Sequence, residues 1–174
     1  MARNVALAVL AACELGVSVQ EISERLPQYR PSALRGKRLQ GRGRTYFVDC
    51  YNANPASMAD ALSFFHRLAG AKPRLYVIGG MEELGNDSER FHRELGQSLP
   101  LRSGDRVVLV GESARPVQDG IGNLERVDFF NCVEEGRPLV DEFEGAVFLK
   151  GSREHRLEML VPTAGEDHSN EPQC

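Results

Sequence analysis

The stretch FVDCYNANPASM, residues 47–58, predicts a β-strand that passes through a short polar turn into an α-helix. Its apolar run ends at Asp49, and a helical pattern begins at Pro55. Asn54 is suited to cap this helix, because its side-chain oxygen can accept a hydrogen bond from a backbone N–H of the first turn, where Pro55 also fits well. A strand followed directly by a helix is the building unit of an α/β fold.

The same unit recurs along the rest of the chain. Gly70 and Pro73 end the first helix. Four more strands are predicted from apolar runs, namely RLYVIGG (74–80), DRVVLVG (105–111), RVDFFN (126–131) and GAVFLKGS (145–152). Helices are predicted after Asn86 or Asp87, after Ser113, at 133–143, and from the last strand to about Val161. We therefore expect an α/β fold: a Rossmann-like, mostly parallel sheet of about five to six strands, with helices on both faces and two helices before it.

Two helices are predicted before the sheet, at residues 4–15 and from about residue 18 to about Leu26, where Pro27 stops the second helix. Ser18 and Glu21 fit a capping box at the start of the second helix. Residues 27–44 lack a periodic pattern and carry six basic side chains without an acidic one, which indicates a linker. We divide the chain into the two helices (1–28), a basic linker and domain entry (29–44), an α/β domain (45–162) and a disordered tail (163–174).

Composition narrows the class of protein. The chain has 174 residues, of which 41% are hydrophobic, enough for a packed core. No apolar run approaches the length needed to span a bilayer, and no signal-peptide cleavage pattern is evident, so membrane insertion and secretion are not expected. The four cysteines form no C-x-x-C pair, which argues against a zinc or disulfide framework and fits the cytoplasm. A formal net charge of −4 and the lack of interleaved aromatic residues argue against nucleic-acid binding by the basic linker.

Polar and glycine-rich stretches follow the predicted strands. They lie at 49–54, 79–85, 111–112, 131 and 150–153. Because the carboxyl ends of parallel strands meet at one edge of a sheet, and ligands bind there in open α/β folds, this edge is the best candidate for a site.

Several side chains at this edge have chemistry suited to a ligand. Asp49 could accept hydrogen bonds from both hydroxyls of a ribose, and Tyr51 could stack on a base. Lys150 beside a helix capped by Ser152 would suit a carboxylate or phosphate. The segment with Lys150 also has a structural explanation, as a capped helix with a basic first turn, whereas helix capping by Asn54 leaves Asp49 and Tyr51 unexplained. Glu82 and Glu83 could bind an amine or Mg²⁺ or form a solvated loop, and His92 is expected to be a partly exposed structural histidine.

Three motifs together resemble one known family. VDCYNANPASMADAL is similar to the Asp-x-Tyr-Asn-Ala-Asn-Pro signature of Mur ligases, in the form typical of the MurF type that adds D-alanyl-D-alanine. VIGGMEELGNDSERFHRELG and FLKGSREHRLEML resemble two later segments of the same proteins, in the same order. The resemblance covers most of residues 35–161, and residues 2–26 resemble the last helices of the family's central domain.

The resemblance implies a part of an ATP-dependent amide ligase of peptidoglycan synthesis in the bacterial cytoplasm. ATP, D-Ala-D-Ala and a UDP-MurNAc-tripeptide would be the partners of the intact enzyme, with Mg²⁺ and the phosphate loop held by its central domain, so no metal ligand is assigned here. By position, the nucleotide would be faced by Asp49, Tyr51, Asn52 and Asn54. The dipeptide or acyl phosphate would be faced by Lys150, Ser152, Arg153, Gly79 and Met81.

Departures from the family pattern shape the functional expectation. Cys50 replaces the usual Ser or Asp, and Gly80 replaces the usual Asp of the second motif. No G-x-x-x-x-G-K-S/T phosphate loop occurs in the 174 residues, so the chain alone is expected to be inactive as a ligase. The alternatives are a freestanding module that binds nucleotide or a peptidoglycan precursor, and an adaptor that uses the basic stretch 30–44.

Overall fold

The structure, a computed structural model, describes residues 2–29 and 34–162, with side chains from residue 4 onward. The chain divides into two compact units, Met1–Ser32 and Ala33–Cys174. The first unit contains helix α1 (Ala2–Glu14), helix α2 (Val19–Arg25) and a 3-10 turn at Leu26–Gln28, which confirms both predicted helices. The predicted capping box is also present in this unit. The tail at 163–174 lies outside the described residues.

The second unit is built around a six-stranded sheet with the strand order β1-β2-β6-β3-β4-β5. All neighbouring strands are parallel except β1 and β2, which are antiparallel. The strands are β1 (Lys37–Gly41), β2 (Arg44–Asp49), β3 (Arg74–Gly79), β4 (Arg106–Val110), β5 (Val127–Phe130) and β6 (Ala146–Lys150). The helices are α3 (Pro55–Ala69), α4 (Ser88–Ser98), α5 (Pro116–Gly120) and α6 (Val133–Glu142). The predicted fold class is confirmed.

Strand β1 lies inside the segment 29–44 that was predicted to be a linker, and that prediction is wrong for these residues. The strand carries four polar or glycine residues around Leu39, so it lacks the apolar pattern by which strands are recognised. It is an edge strand and needs only one partner, and charged side chains there discourage pairing with other chains. Arg42 and Gly43, both with positive φ, form its tight turn into β2.

A second prediction is also wrong: the segment after β6 was predicted to form a helix to about Val161, and it does not. Residues Arg153–His155 and Leu157–Leu160 form two short 3-10 turns instead. They meet at Arg156, whose φ of 50° places it in the left-handed region, so the chain changes direction there and a continuous α-helix cannot form.

Helices cover both faces of the sheet. Alternate side chains of the strands point to the two faces, as the period of a β-strand requires. Helices α3, α4 and α5 pack on the first face, over an aromatic cluster in which the rings of Phe47 and Phe148 stack at 5.6 Å. Helix α6 and the turn at Leu157–Leu160 pack on the second face. In the part of the chain that the structure describes, no helix is both long and apolar enough to cross a membrane.

The topology favours one edge of the sheet as a candidate ligand site. Strand β6 lies between β2 and β3. The chain leaves β2 and β3 toward helices on the first face, and it leaves β6 toward the turns on the second face. Such a point, where neighbouring connections diverge, opens a crevice at the carboxyl ends of the strands. The loops after β2, β3 and β6 therefore surround the crevice.

Gly96→Ala should destabilise the second unit by roughly 1–3 kcal/mol, the usual range for overpacking. Helices α4 and α5 touch at this residue, and a Cβ on Gly96 would lie 2.1 Å from the carbonyl oxygen of Val117. Because that neighbour is backbone, it cannot move aside cheaply. Urea denaturation measures the effect, with Gly122→Ala as the control, since a Cβ there meets nothing within 4 Å. Equal stability of the two variants would contradict the prediction.

Candidate functional site

An ion pair connects the ends of β2 and β6 at the crevice. Asp49 and Lys150 lie opposite each other in the parallel register. The Lys150 Nζ donates to Asp49 Oδ2 at 2.6 Å and to the carbonyl oxygen of Asn52 at 3.0 Å. Lys150 is only 1% exposed, whereas the Asp49 side chain is 21% exposed. The ammonium therefore holds the loop after β2 and is shielded from solvent, and its predicted contact with substrate stays a prediction.

Asp49 is at the rim of the crevice. Its Oδ1 accepts a hydrogen bond from the Gly36 N–H at 3.1 Å, while Lys150 binds Oδ2. The carboxylate is thus fixed from two sides and still reaches the surface. A fixed, partly exposed carboxylate can accept hydrogen bonds from hydroxyl groups, and the predicted contact of Asp49 with a ribose stays a prediction.

Tyr51 presents the largest exposed aromatic surface of this loop. Its side chain is 49% exposed, and the Arg35 guanidinium lies 3.8 Å from the centre of its ring. This is cation–π geometry, which keeps the ring in a defined position. The ring is therefore positioned for stacking with a planar group, and its predicted contact with a base stays a prediction.

The two asparagines of the loop have different roles. The Asn54 Oδ1 accepts the Ser57 N–H at 2.8 Å and the Ser57 Oγ accepts the Asn54 N–H at 3.0 Å, so the predicted helix cap is confirmed. The Asn52 Oδ1 accepts the Ala53 N–H at 2.8 Å and faces the Ser152 Oγ at 3.5 Å. Asn54 mainly starts α3, whereas Asn52 connects the loops after β2 and β6.

Ser152 was predicted to cap a helix, but its hydrogen bonds instead connect three loops. Its Oγ accepts the Glu82 N–H at 3.0 Å, and its own N–H donates to the Gly80 carbonyl oxygen at 2.9 Å. The cap prediction is wrong because only a 3-10 turn follows, without a side-chain cap bond. Ser152 is 5% exposed, so it stabilises the crevice from within.

Two residues after the end of β3 are buried. Met81 is 1% exposed and belongs to the apolar cluster on the first face of the sheet, and its predicted contact with substrate stays a prediction. His92 is completely buried, not partly exposed: its Nε2 accepts the Met81 N–H at 2.8 Å and its Nδ1 bonds the Ser88 carbonyl oxygen at 2.7 Å. This pairing places the ring proton on Nδ1. His92 therefore fixes the loop that Met81 begins.

Gly79 and Gly151 allow the strands to come close together. A Cβ on Gly151 would lie 2.7 Å from the Gly79 Cα, and a Cβ on Gly79 would lie 2.8 Å from the His155 ring. The space beside these glycines is therefore filled by other parts of the protein. Gly79 reaches the crevice only through its backbone, and its contact with substrate stays a prediction.

Glu82, Ser113 and His155 form a cluster that sequence reasoning missed. The Ser113 hydroxyl donates to Glu82 Oε1 at 2.6 Å, and His155 Nε2 lies 3.1 Å from the same oxygen. Burial alone would raise the pKa of Glu82, but the hydrogen bonds from Ser113 and His155 outweigh burial and lower it. His155 was not predicted as a site residue, because it lay in a predicted helix and its partner Glu82 precedes it by 73 residues.

Arg153 is the most exposed cation predicted for the site. Its side chain is 58% exposed and its guanidinium pairs with Glu158 Oε1 at 2.5 Å. Cys50 is buried, and burial, with the charge of Glu158 added, raises the pKa of its thiol to about 12. The thiol is therefore unreactive, whereas the guanidinium can reach a carboxylate in solvent.

Comparisons with known proteins agree with the geometry. The sequence profile described as "Mur ligase, glutamate ligase domain" matches residues 35–153. The chain is 32% identical over 165 residues to the UDP-N-acetylmuramoyl-tripeptide--D-alanyl-D-alanine ligase of Treponema pallidum, covering 90% of this chain and 35% of that protein. The crystal structure of MurF from Acinetobacter baumannii has a TM-score of 0.76 at 29% identity, over 91% of this chain and 36% of that one.

A second solved structure, MurF from Thermotoga maritima in complex with ADP, has a TM-score of 0.72 at 24% identity, over 90% of this chain and 36% of that one, and shows the shared fold. The chain spans about a third of the length of the curated relatives it matches. The profile covers well over half of the chain, and relatives and structures agree along almost all of it. The chain therefore belongs to the Mur ligase family, as a C-terminal domain of the MurF type.

Proposed function

We propose that this chain supplies the nucleotide- and dipeptide-facing half of the active site in an ATP-dependent ligase of bacterial cytoplasmic peptidoglycan synthesis. The ligase would join D-Ala-D-Ala to a UDP-MurNAc-tripeptide, as the names of its relatives state for them. One observation carries the proposal: Asp49, Asn52, Lys150 and Ser152 form a hydrogen-bonded network where the strand connections diverge. The network joins two of the loops that line the crevice and gives them a fixed geometry.

The nucleotide would bind on the side of the loop after β2. The exposed ring of Tyr51 would stack on the base, and the rim carboxylate of Asp49 would accept the ribose hydroxyls. Asn52 and Asn54 would contribute through the backbone that they hold in place. Arg35 lies over the Tyr51 ring, so a base would stack on the opposite face or displace the guanidinium.

The dipeptide would bind on the side of the turn after β6. A guanidinium fork matches a carboxylate, and Arg153 now offers this fork to Glu158. The carboxylate of the incoming D-Ala-D-Ala would compete with Glu158 for Arg153. Lys150 and Ser152 would act indirectly, by holding the turn after β6 against the loop after β2.

Tyr51→Ala should weaken ADP binding by about tenfold, because stacking of a base on an aromatic ring is worth about 1–3 kcal/mol. We expect the wild-type chain to bind ADP with a Kd on the order of 1 mM, since the phosphate groups would lack the phosphate loop. Titration by NMR measures both constants. Leu124→Ala is the control, because Leu124 is 56% exposed at the amino end of β5, at the other edge of the sheet. Equal affinity of the two variants would contradict the role of Tyr51.

The chain alone should show no ligase turnover and no ATP hydrolysis. Phosphoryl transfer requires positive charge arranged around the transferred phosphate, and the sequence contains no G-x-x-x-x-G-K-S/T loop to supply it. Mg²⁺ would be held by the central domain of the intact enzyme. Phosphate release from ATP, with D-Ala-D-Ala and the tripeptide precursor present, is the measurement. Release above the buffer background would show that the chain carries its own phosphoryl-transfer machinery.

A freestanding module that binds without catalysis is the second candidate function. The same crevice would serve it, and an inactive chain would be its natural state. The two candidates differ in one result: a MurF-type central domain added in trans should restore ligation only if the chain is the missing half of a ligase.

A further inference from the structure

Two carboxylates and an imidazole converge beside the crevice, on the loop after β3 and the turn after β6. They belong to Glu82, Glu154 and His155, and their ligand atoms all lie within 4.8 Å of one another. None of the three is assigned to the nucleotide or the dipeptide above. A role for this cluster is therefore independent of the proposed ligase function.

The spacing of the three groups suits a tetrahedral cation. His155 Nε2 lies 3.1 Å from Glu82 Oε1 and 3.9 Å from Glu154 Oε1. Nitrogen and oxygen ligands bind Zn²⁺ at about 2.0–2.2 Å, which places two tetrahedral ligand atoms about 3.4 Å apart. The two distances lie on either side of that value, so small side-chain rotations would complete the geometry.

The imidazole is held in place for this role. The His155 side chain is 8% exposed and sits in a slot between two glycines. A Cβ on Gly79 would lie 2.8 Å from the ring, and a Cβ on Gly111 would lie 2.7 Å from its Nδ1. The slot leaves Nε2 facing Glu82. Ser113 donates a hydrogen bond to that carboxylate at 2.6 Å, as outer-shell partners of metal ligands commonly do.

We propose that Glu82, Glu154 and His155 form a binding site for a divalent cation of the zinc class. An imidazole nitrogen with two carboxylates favours Zn²⁺ over Mg²⁺, which prefers an all-oxygen octahedral shell. The ion would take the place of the direct contact between His155 and Glu82, and water would complete the tetrahedron. A bound ion would tie the turn after β6 to the loop after β3, at the rim of the crevice.

Isothermal titration calorimetry of the full 174-residue chain with ZnCl₂ tests the site. We expect one ion per chain, a loss of affinity of at least tenfold in Glu154→Gln, and a larger loss in His155→Ala. Glu154 has a side chain that is 66% exposed, so its variant keeps the fold even if His155→Ala loosens the slot. His66→Ala is the matched control, because His66 lies in α3, bonds the Tyr76 hydroxyl through its Nε2 and is not one of the three clustered residues. It should bind Zn²⁺ as the wild type does, and excess Mg²⁺ should not compete.

Cobalt substitution separates this site from binding by cysteines. Co²⁺ in a nitrogen and oxygen site shows visible d–d bands without the near-ultraviolet charge-transfer band that a thiolate produces. We expect d–d bands in the wild type that disappear in His155→Ala. Three results would each overturn the proposal: no Zn²⁺ binding by the wild type, wild-type affinity in both Glu154→Gln and His155→Ala, or a thiolate band that persists in His155→Ala.

Discussion

Asp105→Asn should lower the free energy of unfolding by about 3–5 kcal/mol, the usual effect of removing one partner of a buried ion pair. The side chains of Arg74 and Asp105 are 4% and 1% exposed at the amino ends of β3 and β4. Asp105 accepts the Arg74 Nε at 2.9 Å, the Arg74 N–H at 3.0 Å and the Arg102 N–H at 2.8 Å. The amide would turn a donor toward these donors and leave the Arg74 charge buried without its counter-ion.

Urea denaturation of the purified variant measures this loss. Asp128→Asn is the matched control, because Asp128 pairs with Arg106 near the surface, where the two side chains are 32% and 45% exposed. An exposed pair contributes about 0–1 kcal/mol, so the control should unfold almost like the wild type. Similar stability of the two variants would mean that the Arg74–Asp105 pair does not hold the sheet together.

The Asp105 pair also predicts the pH dependence of stability. Burial would raise the pKa of Asp105, but the hydrogen bonds from Arg74 and Arg102 outweigh burial and lower it. The folded-state pKa therefore lies below the unfolded value of about 3.9, and the stabilisation is present above that pH and lost as the pH falls through the folded pKa. The difference in stability between wild type and Asp105→Asn should accordingly shrink below about pH 3.9. A difference that grows in acid would contradict this assignment.

Lys150→Met should destabilise the chain by about 2–3 kcal/mol and loosen the loop after β2. Removing one partner of a buried pair costs about 3–5 kcal/mol, and partial rehydration of Asp49, which is 21% exposed, should reduce that cost. Methionine keeps the length of the stem and removes the two hydrogen bonds to Asp49 and Asn52. Urea denaturation gives the stability, and amide hydrogen exchange at 49–54 reports the loop.

Two further variants make this test specific. Lys72→Met, at an exposed lysine before β3, should change neither stability nor exchange. Asp49→Asn should cost less in the Lys150→Met background than in the wild type, because the charge that it removes would already be unpaired. Additive effects of Asp49→Asn and Lys150→Met would show that the two side chains do not depend on each other.

The sheet could be predicted from sequence because its central strands are apolar on both faces. Segments such as 75–78 and 107–110 are buried throughout, as parallel strands between two layers of helices must be. Strand β1 was not predicted because this edge strand has few apolar residues to indicate it. The turn at Arg156 was not predicted because the sequence does not indicate an arginine in the left-handed backbone conformation, whereas a glycine would suggest one.

The candidate site was predictable only in outline. The ends of the strands identified loops that the structure brings to one edge of the sheet, since topology alone places them there. The contacts between the loops could not be predicted, because Lys150 and Asp49 are 101 residues apart and Glu82 and His155 are 73 apart. Burial could not be predicted either: Lys150 was expected to be accessible at the end of its strand, yet it is buried beneath the loop after β2.

One measurement tests the central claim most directly, namely that the crevice between β2, β6 and β3 binds the nucleotide. The full chain, labelled with ¹⁵N, is titrated with ADP to about 10 mM, ten times the expected Kd, and amide shifts are followed by NMR. We predict saturating shifts that cluster at residues 49–54 and 150–153 and fade toward the amino ends of the strands. The absence of shifts at that concentration, or shifts centred on the amino-end loops around Arg102 and Asp105, would contradict the claim.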